Sequence, residues 1–341
     1  MYFCYIILVT GATGLLGSHL LYELVQNGQP VRALFRDKKR IERVKSLFNY
    51  YSNGNENGFN LIEWVEGDIL DLVSLEDALV GIEHVYHCAA KVSFRKKDFK
   101  DLIHTNRVGT ANVVNMALKF GVKKFGHVSS TAAIGGVENK LTTENTKWQI
   151  SDKTSGYAIS KYNSEREVWR GSEEGMDVII VNPCLIFGAG DLEESSLTIF
   201  NTIKKGLKFY SPGSNAYVDA RDVATCFVQL MNSEKVNERY LVIGHNLTFK
   251  DSLFQIAKQM QQKAPSICPP KWLAINIGRF GEMMNRLFKT KSAITVESAR
   301  SAYSNMTYSN GKIVQATNHS FYPIADTIQN VIDFENSQSK K

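Results

Sequence analysis

Tyr157 and Lys161 stand four residues apart, and Thr131 offers a hydroxyl 26 residues before the tyrosine. A phenol with a pKa of about 10 trades a proton with a developing alkoxide only if that pKa is drawn toward neutrality. A lysine one helical turn away on the same face supplies the positive charge that does so. The set therefore suits interconversion of a carbonyl and an alcohol, with Tyr157 as general acid/base. Spacing by itself decides nothing, because Tyr308 and Lys312 repeat it. Context separates the two pairs. Tyr157 opens an amphipathic segment, and Thr131 follows a strand candidate at the carboxyl edge of a sheet, where open α/β sheets bind ligands. Tyr308 lies in the polar stretch Ser304 to Lys312 with no strand and hydroxyl before it, so a structural role is expected there.

A second constellation is Gly11-Ala12-Thr13-Gly14-Leu15-Leu16-Gly17, placed where a buried strand must turn into a helix. Gly11 permits a tight turn, Gly14 lets backbone amides approach a pyrophosphate, and Gly17 allows close packing of the helix, whose N-terminus favours an anion. No Gly-Lys-[Ser/Thr] follows, which excludes a mononucleotide P-loop. The end of the second strand faces the adenosine ribose in such a unit, and it reads Leu34-Phe35-Arg36-Asp37-Lys38. Arg36 favours the 2′-phosphate of NADP; if Asp37 points at the ribose, NAD is preferred. Gly67-Asp68-Ile69 is expected against the adenine.

These residues need a scaffold, and the first 185 residues supply its pattern. Strand candidates Tyr5–Thr10, Pro30–Phe35, Leu61–Glu66, His84–Cys88, Lys124–Ser129 and Val178–Asn182 alternate with the amphipathic segments Leu15–Gln26, Lys38–Phe48, Ser74–Leu79, Thr105–Phe120 and Gly156–Arg170. Such alternation predicts an α/β fold, a doubly wound parallel sheet with helices on both faces. The expected organisation is a dinucleotide domain over 1–185, rejoined by 215–245, and a smaller, mostly helical substrate domain from 186–214 and 246–337. Trp272–Phe288 is apolar on more than one face, which predicts packing in a core or against a second subunit ahead of a membrane-surface role.

The bulk properties narrow the class. At 341 residues and 43% hydrophobic the chain can bury a substantial core. Its net charge of +6 is spread out, and the longest basic clusters stop after three residues, so no nucleic-acid partner is expected. Five widely separated cysteines without C-x-x-C spacing argue against a disulfide framework and for a reducing, cytoplasmic setting. The apolar start lacks a basic n-region and is far too short to span a bilayer of about 20 helical residues. No membrane partner is expected. The seven histidines have no ligand spacing, so no metal is expected. Cys184 beside Pro183 reads as a small buried hydrophobe, Asn106 as a proton-relay residue or a helix cap, and Asp191 to Glu194 as a pocket rim or a solvated loop.

Taken together, Thr10 to Gly17, His87-Cys88-Ala89-Ala90, Asn106 with Gly109-Thr110-Ala111-Asn112, Val128-Ser129-Ser130-Thr131, Tyr157 with Lys161, Asn182 to Gly188, and Ala216 to Ala224 resemble the extended short-chain dehydrogenase/reductase family, also called the NAD-dependent epimerase/dehydratase family. The likeness covers the chain to about residue 245 and is greatest toward the dihydroflavonol-reductase and 3β-hydroxysteroid-dehydrogenase-like branch. It implies a Rossmann-type fold. It further implies that Lys161 lowers the Tyr157 pKa and binds the nicotinamide ribose, and that Thr131, rather than Ser130, hydrogen-bonds the substrate oxygen. Ser129, Ala89 and Ala90 would line the cofactor, Pro183 to Ile186 would border the nicotinamide, and the protein would be a homodimer. Ala132 and Ala133 stand where the family's dehydratases carry an Asp-Glu pair, which disfavours dehydration. The resulting expectation is an NADP(H)-dependent oxidoreductase, NAD being possible, acting on a small, partly apolar substrate. A nucleotide-sugar epimerase that retains NAD is the alternative, and a dinucleotide-sensing protein without turnover a third.

Overall fold

The computed structural model describes residues 6–55, 58–151, 154–288 and 295–339; Cys4 and Tyr5, the expected start of the first strand, lie outside them. The nucleotide half alternates as its pattern demands: β1 (Ile6–Thr10), α1 (Leu15–Gln26), β2 (Val31–Phe35), α2 (Ile41–Tyr51), β3 (Ile62–Glu66), α3 (Leu72–Leu79), β4 (Ile82–His87), α4 (Phe99–Leu102), α5 (Gly109–Lys119), β5 (Lys124–Val128), β6 (Leu141–Thr142), α6 (Gly156–Glu173) and β7 (Asp177–Pro183). The remainder runs β8 (Leu185–Phe187), α7 (Thr198–Lys204), β9 (Ser214–Asp219), α8 (Ala220–Met231), β10 (Glu238–Val242), β11 (His245–Thr248), α9 (Phe249–Gln259), α10 (Lys271–Phe288), α11 (Val296–Ser301), β12 (Thr307–Tyr308), α12 (Gly311–Thr317) and α13 (Ile324–Gln338).

Seven strands form a parallel, Rossmann-like sheet in the order β10-β7-β5-β4-β1-β2-β3. Period-two alternation puts successive side chains on opposite faces, so a strand buried on both faces must be apolar throughout. In β1, Ile7 and Val9 join one core with Leu20, Val44, Val223 and Phe227 from α1, α2 and α8. Leu8 joins the other with Leu75, Val113 and Val168 from α3, α5 and α6. The chain leaves β1 for β2 on one side and returns to β4 on the other. That reversal opens a crevice at the carboxyl ends of β1 and β4, the place where open α/β sheets hold ligands.

A third core, built by Phe187, Phe200, Tyr217, Ile256 and Val331, gathers β8, α7, β9, α9 and α13 beside that crevice. Here β8, β9 and β11 form a separate three-stranded sheet, while β10 adds to the edge of the main one. The core expectation for Trp272–Phe288 fails. Trp272, Leu273, Ile277, Phe280 and Met283 of α10 are exposed, and among the described residues the opposite face of that helix packs on α11. Among the described residues no helix is long and apolar enough to cross a membrane.

Candidate active site

The turn after β1 has the backbone that its glycines require. Gly11 adopts φ +66°, and a Cβ there would lie 2.5 Å from the Ala89 nitrogen. A Cβ on Gly17 would lie 2.1 Å from the Gly11 carbonyl oxygen, so the first turn of α1 packs directly on the strand-end turn. Gly14 is the N-cap of α1 and contributes no capping side chain. The first-turn amides of Leu15, Leu16 and Gly17 therefore have neither an intrahelical acceptor nor a side-chain substitute, which is the donor set a pyrophosphate needs. Beside them lies a groove of about 620 Å³ lined by Gly11, Thr13, Gly14, Ile69, Ala89 and Ala90, with Arg36 and Arg40 at its far end. The glycine contacts and this shape fit a dinucleotide.

Asp37 spends its carboxylate on the Lys39 backbone N–H, capping the turn Lys38–Arg40. Arg36 stays two-thirds exposed, with one long contact of 3.4 Å to Asp68. Asp68 itself accepts from the Leu70 N–H, so its carboxylate closes a local turn. Arg40 and Arg43 reach across to the loop before α7 and pair with Glu194, and Arg43 also with Asp191. The acidic segment therefore bridges the groove's edge to α2.

Tyr157, Lys161 and Glu165 fall on one face of α6, started by the Ser155 side chain accepting from the Ala158 N–H. Lys161 is buried and its Nζ donates to the Val128 carbonyl at 2.7 Å. Burial draws its pKa down to about 8, with the Glu165 charge opposing the shift. Tyr157 is half-buried, and loss of solvent raises its pKa while the Ser130 hydroxyl pulls it back. At neutral pH the phenol thus holds its proton and can donate it.

The Ser130 hydroxyl lowers the Tyr157 pKa and the Thr131 hydroxyl that of Tyr308, while the Ser130 Oγ also accepts from the Ala132 N–H. Ser130 continues β5 in extended backbone, φ −164° and ψ 154°, and Thr131 begins a 3-10 turn. Consecutive residues at the end of a strand point to opposite sides, so only one of the two can reach the tyrosine. Ser129 is also turned from the groove, since its Oγ donates to Glu165 at 2.8 Å. Pro183 is buried within β7, and Ile186 is half-buried on β8.

Glu165 is a hub that no motif or spacing announces. One carboxylate oxygen accepts from Ser129 and Asn182, the other from Arg239 at 3.1 Å, and Asn182 also donates to the Ser130 carbonyl. The only available signal was its register, four residues after Lys161. Asn106 is neither a cap nor open to water: buried in a π-turn, it bonds both backbone groups of Lys91 and the Ser160 Oγ, tying the segment after β4 to α6. His87 links Thr10 to Thr110 and is held neutral by burial, its pKa drawn down to about 3. Burial lifts the Cys88 thiol to about 12 and Cys184 higher still, so neither is a ready thiolate. No group of three or more His, Cys, Asp or Glu among the described residues could hold a metal ion.

The family model for the NAD dependent epimerase/dehydratase family matches residues 7–244. The chain belongs to that family. It is 32% identical over 285 residues to sterol demethylase protein B of Methylococcus capsulatus, covering 82% of each chain. A putative dihydroflavonol 4-reductase of Synechocystis is 26% identical over 90% of this chain and 88% of its own. The crystal structure of gox2253 superposes with a TM-score of 0.80 at 25% identity, over 98% of both chains. The protein is an NAD(P)-dependent enzyme of the extended short-chain dehydrogenase/reductase type. Membership gives the groove its occupant class. The family model stops at residue 244, just after β10, so α9 to α13 lie beyond the part it describes.

Proposed function

We propose that the protein is an NADP(H)-dependent oxidoreductase that interconverts a ketone and a secondary alcohol on an apolar, partly ring-built substrate. The observation that carries this reading is the Tyr157 phenol facing the Ser130 hydroxyl, with buried Lys161 one turn further along α6. A bound nicotinamide supplies or accepts the hydride. Tyr157 gives its proton to the substrate oxygen as the carbonyl is reduced and recovers it from the alcohol in the reverse direction. Ser130 donates to the same oxygen and holds it within reach of the phenol. Lys161 would bind the ribose side of the cofactor, and its charge, when protonated, would favour phenolate.

For the 2′-phosphate, the support is Arg36, two-thirds exposed and lining the groove with a single long contact to Asp68, and Asp37 engaged by its own turn. For the substrate, it is a cavity of about 380 Å³ beside Tyr157, lined by Phe94, Phe99, Leu102, Ile159 and Val296, with the Phe94 ring edge-on to the tyrosine at 5.6 Å. The names of the relatives, a sterol demethylase protein and a dihydroflavonol reductase, also denote fused-ring compounds. The test is binding of NADPH and NADH by calorimetry, followed by turnover on a panel of hydroxysteroids, ketosteroids and flavanonols. NADPH should bind at least tenfold more tightly, and a ring ketone should be reduced with consumption of NADPH. Tight NAD retained through purification, with no net redox on any ketone or alcohol, would overturn the reading in favour of an epimerase.

A further inference from the structure

α10 is an amphipathic helix placed inside out relative to the core. Its inner face is narrow: Gly278 packs on the Thr295–Val296 backbone, where a Cβ would lie 2.8 Å from the Thr295 carbonyl carbon, and the Glu282 carboxylate accepts from the Val296 N–H. At 100° per residue, Trp272, Leu273, Ile277, Phe280 and Met283 share one arc of about 140° away from that contact. All five are exposed, Trp272 at 65% and Phe280 at 59%. Contiguous exposed apolar surface of this kind marks a contact that the isolated chain does not make.

The charge pattern selects among partners. Glu282 is the only acidic residue between Lys271 and Phe288, and it is turned inward to cap α11. Arg279, exposed, borders the apolar arc, and Lys271, also exposed, starts the helix on the opposite side. A second copy of the same helix would bring no acidic group to Arg279, whereas an anionic lipid surface would complement it. Tryptophan and phenylalanine on one face, with a cation at its border and too little apolar length to span, are the composition of a helix that lies in a membrane interface. α11, packed on α10, contributes Val296, Glu297 and Arg300 to the cavity next to Tyr157. The exposed helix and the cavity wall are thus one unit.

We infer that α10 docks the protein on an anionic membrane surface, its Trp272–Met283 face embedded among the acyl chains, so that an apolar substrate reaches the cavity from the lipid phase. The docking itself does not depend on the proposed chemistry. The experiment is flotation of the purified full-length protein with vesicles of phosphatidylcholine alone or with 30% phosphatidylglycerol, together with quenching of Trp272 by brominated lipid. Expected results are at least tenfold more protein on the anionic vesicles, release in 0.5 M salt, and quenching that disappears in Trp272→Phe. Phe280→Ser with Ile277→Ser should abolish flotation while NADPH binding and melting temperature show the fold intact. Tyr157→Phe should float as the wild type does, so a failure of the catalytic reading would leave this result standing. Absence of flotation and of quenching in the wild type would overturn the inference. So would sedimentation showing that the Phe280→Ser, Ile277→Ser variant turns a dimer into a monomer with no effect on vesicles, which would assign the face to a second copy.

Discussion

Tyr157 with Lys161 and Tyr308 with Lys312 share one spacing and have different surroundings. The first pair lies along a single helix face, with the lysine buried beneath the end of β5 and bonded to a strand carbonyl. The second is split between the two-residue strand β12 and helix α12. There Lys312 turns away, pairing with Glu238 at 2.8 Å and lying over the Tyr240 ring. Tyr308 is buried and faces Thr131, and burial raises its pKa to about 12. A four-residue spacing brings two side chains together only where the backbone between them is helical. In the proposed reading the Ser130 hydroxyl serves Tyr157 and the Thr131 hydroxyl serves Tyr308.

The sharpest way to break this contrast is to remove each phenol oxygen in turn. Tyr157→Phe should lower kcat by roughly 10³-fold and leave NADPH affinity unchanged, within the range of about 10²–10⁴ for loss of a general acid. Tyr308→Phe should alter kcat less than threefold, and equal losses in both variants would erase the distinction.

Next in size is the acid sensitivity of the scaffold under the first pair. Burial holds His19 at about 4 and His87 at about 3, both below the ordinary value of 6.5. The unfolded chain therefore binds more protons than the folded one between pH 6.5 and those values. Stability present above pH 6.5 is lost as pH falls through that window, by on the order of 3 kcal/mol for each histidine. The urea midpoint measured from pH 7 to pH 4 should fall steeply; a flat profile would show that these rings are not held neutral.

The hydroxyls give a smaller effect. Ser130→Ala should lower kcat by about 10²-fold, as for loss of one donor to a reacting oxygen. Because Ser130 lowers the phenol's pKa, its loss should also move the acid limb of the alcohol-oxidation profile to higher pH. Thr131→Val should do neither, and the opposite ranking would return the role to Thr131. Smallest of all, Tyr308→Phe should cost about 1 kcal/mol in denaturant unfolding, the usual worth of one buried hydrogen bond.

The β1–α1 glycine turn, the alternating strands and helices, and the Tyr157–Lys161 face were legible in the sequence because each rests on local periodicity or on backbone freedom within a few residues. Gly11 and Gly17 illustrate this, since the close approaches they permit involve neighbours along the chain or the adjoining strand end. The choice between Ser130 and Thr131 turns on alternation through a single residue at the end of β5, and the Ser130→Ala and Thr131→Val variants decide it. Glu165, Asn182 and Arg239 lie 17 to 74 residues apart, and no spacing rule brings them together. Only the parallel stacking of β5, β7 and β10 puts them at one sheet edge. α10 marks the same boundary. Its sequence determined an amphipathic helix, but which side meets protein and which meets solvent depended, among the described residues, on the Thr295–Val296 surface that covers one face of it. Periodicity fixes what a segment can bury, and tertiary packing decides whether anything is there to bury it against.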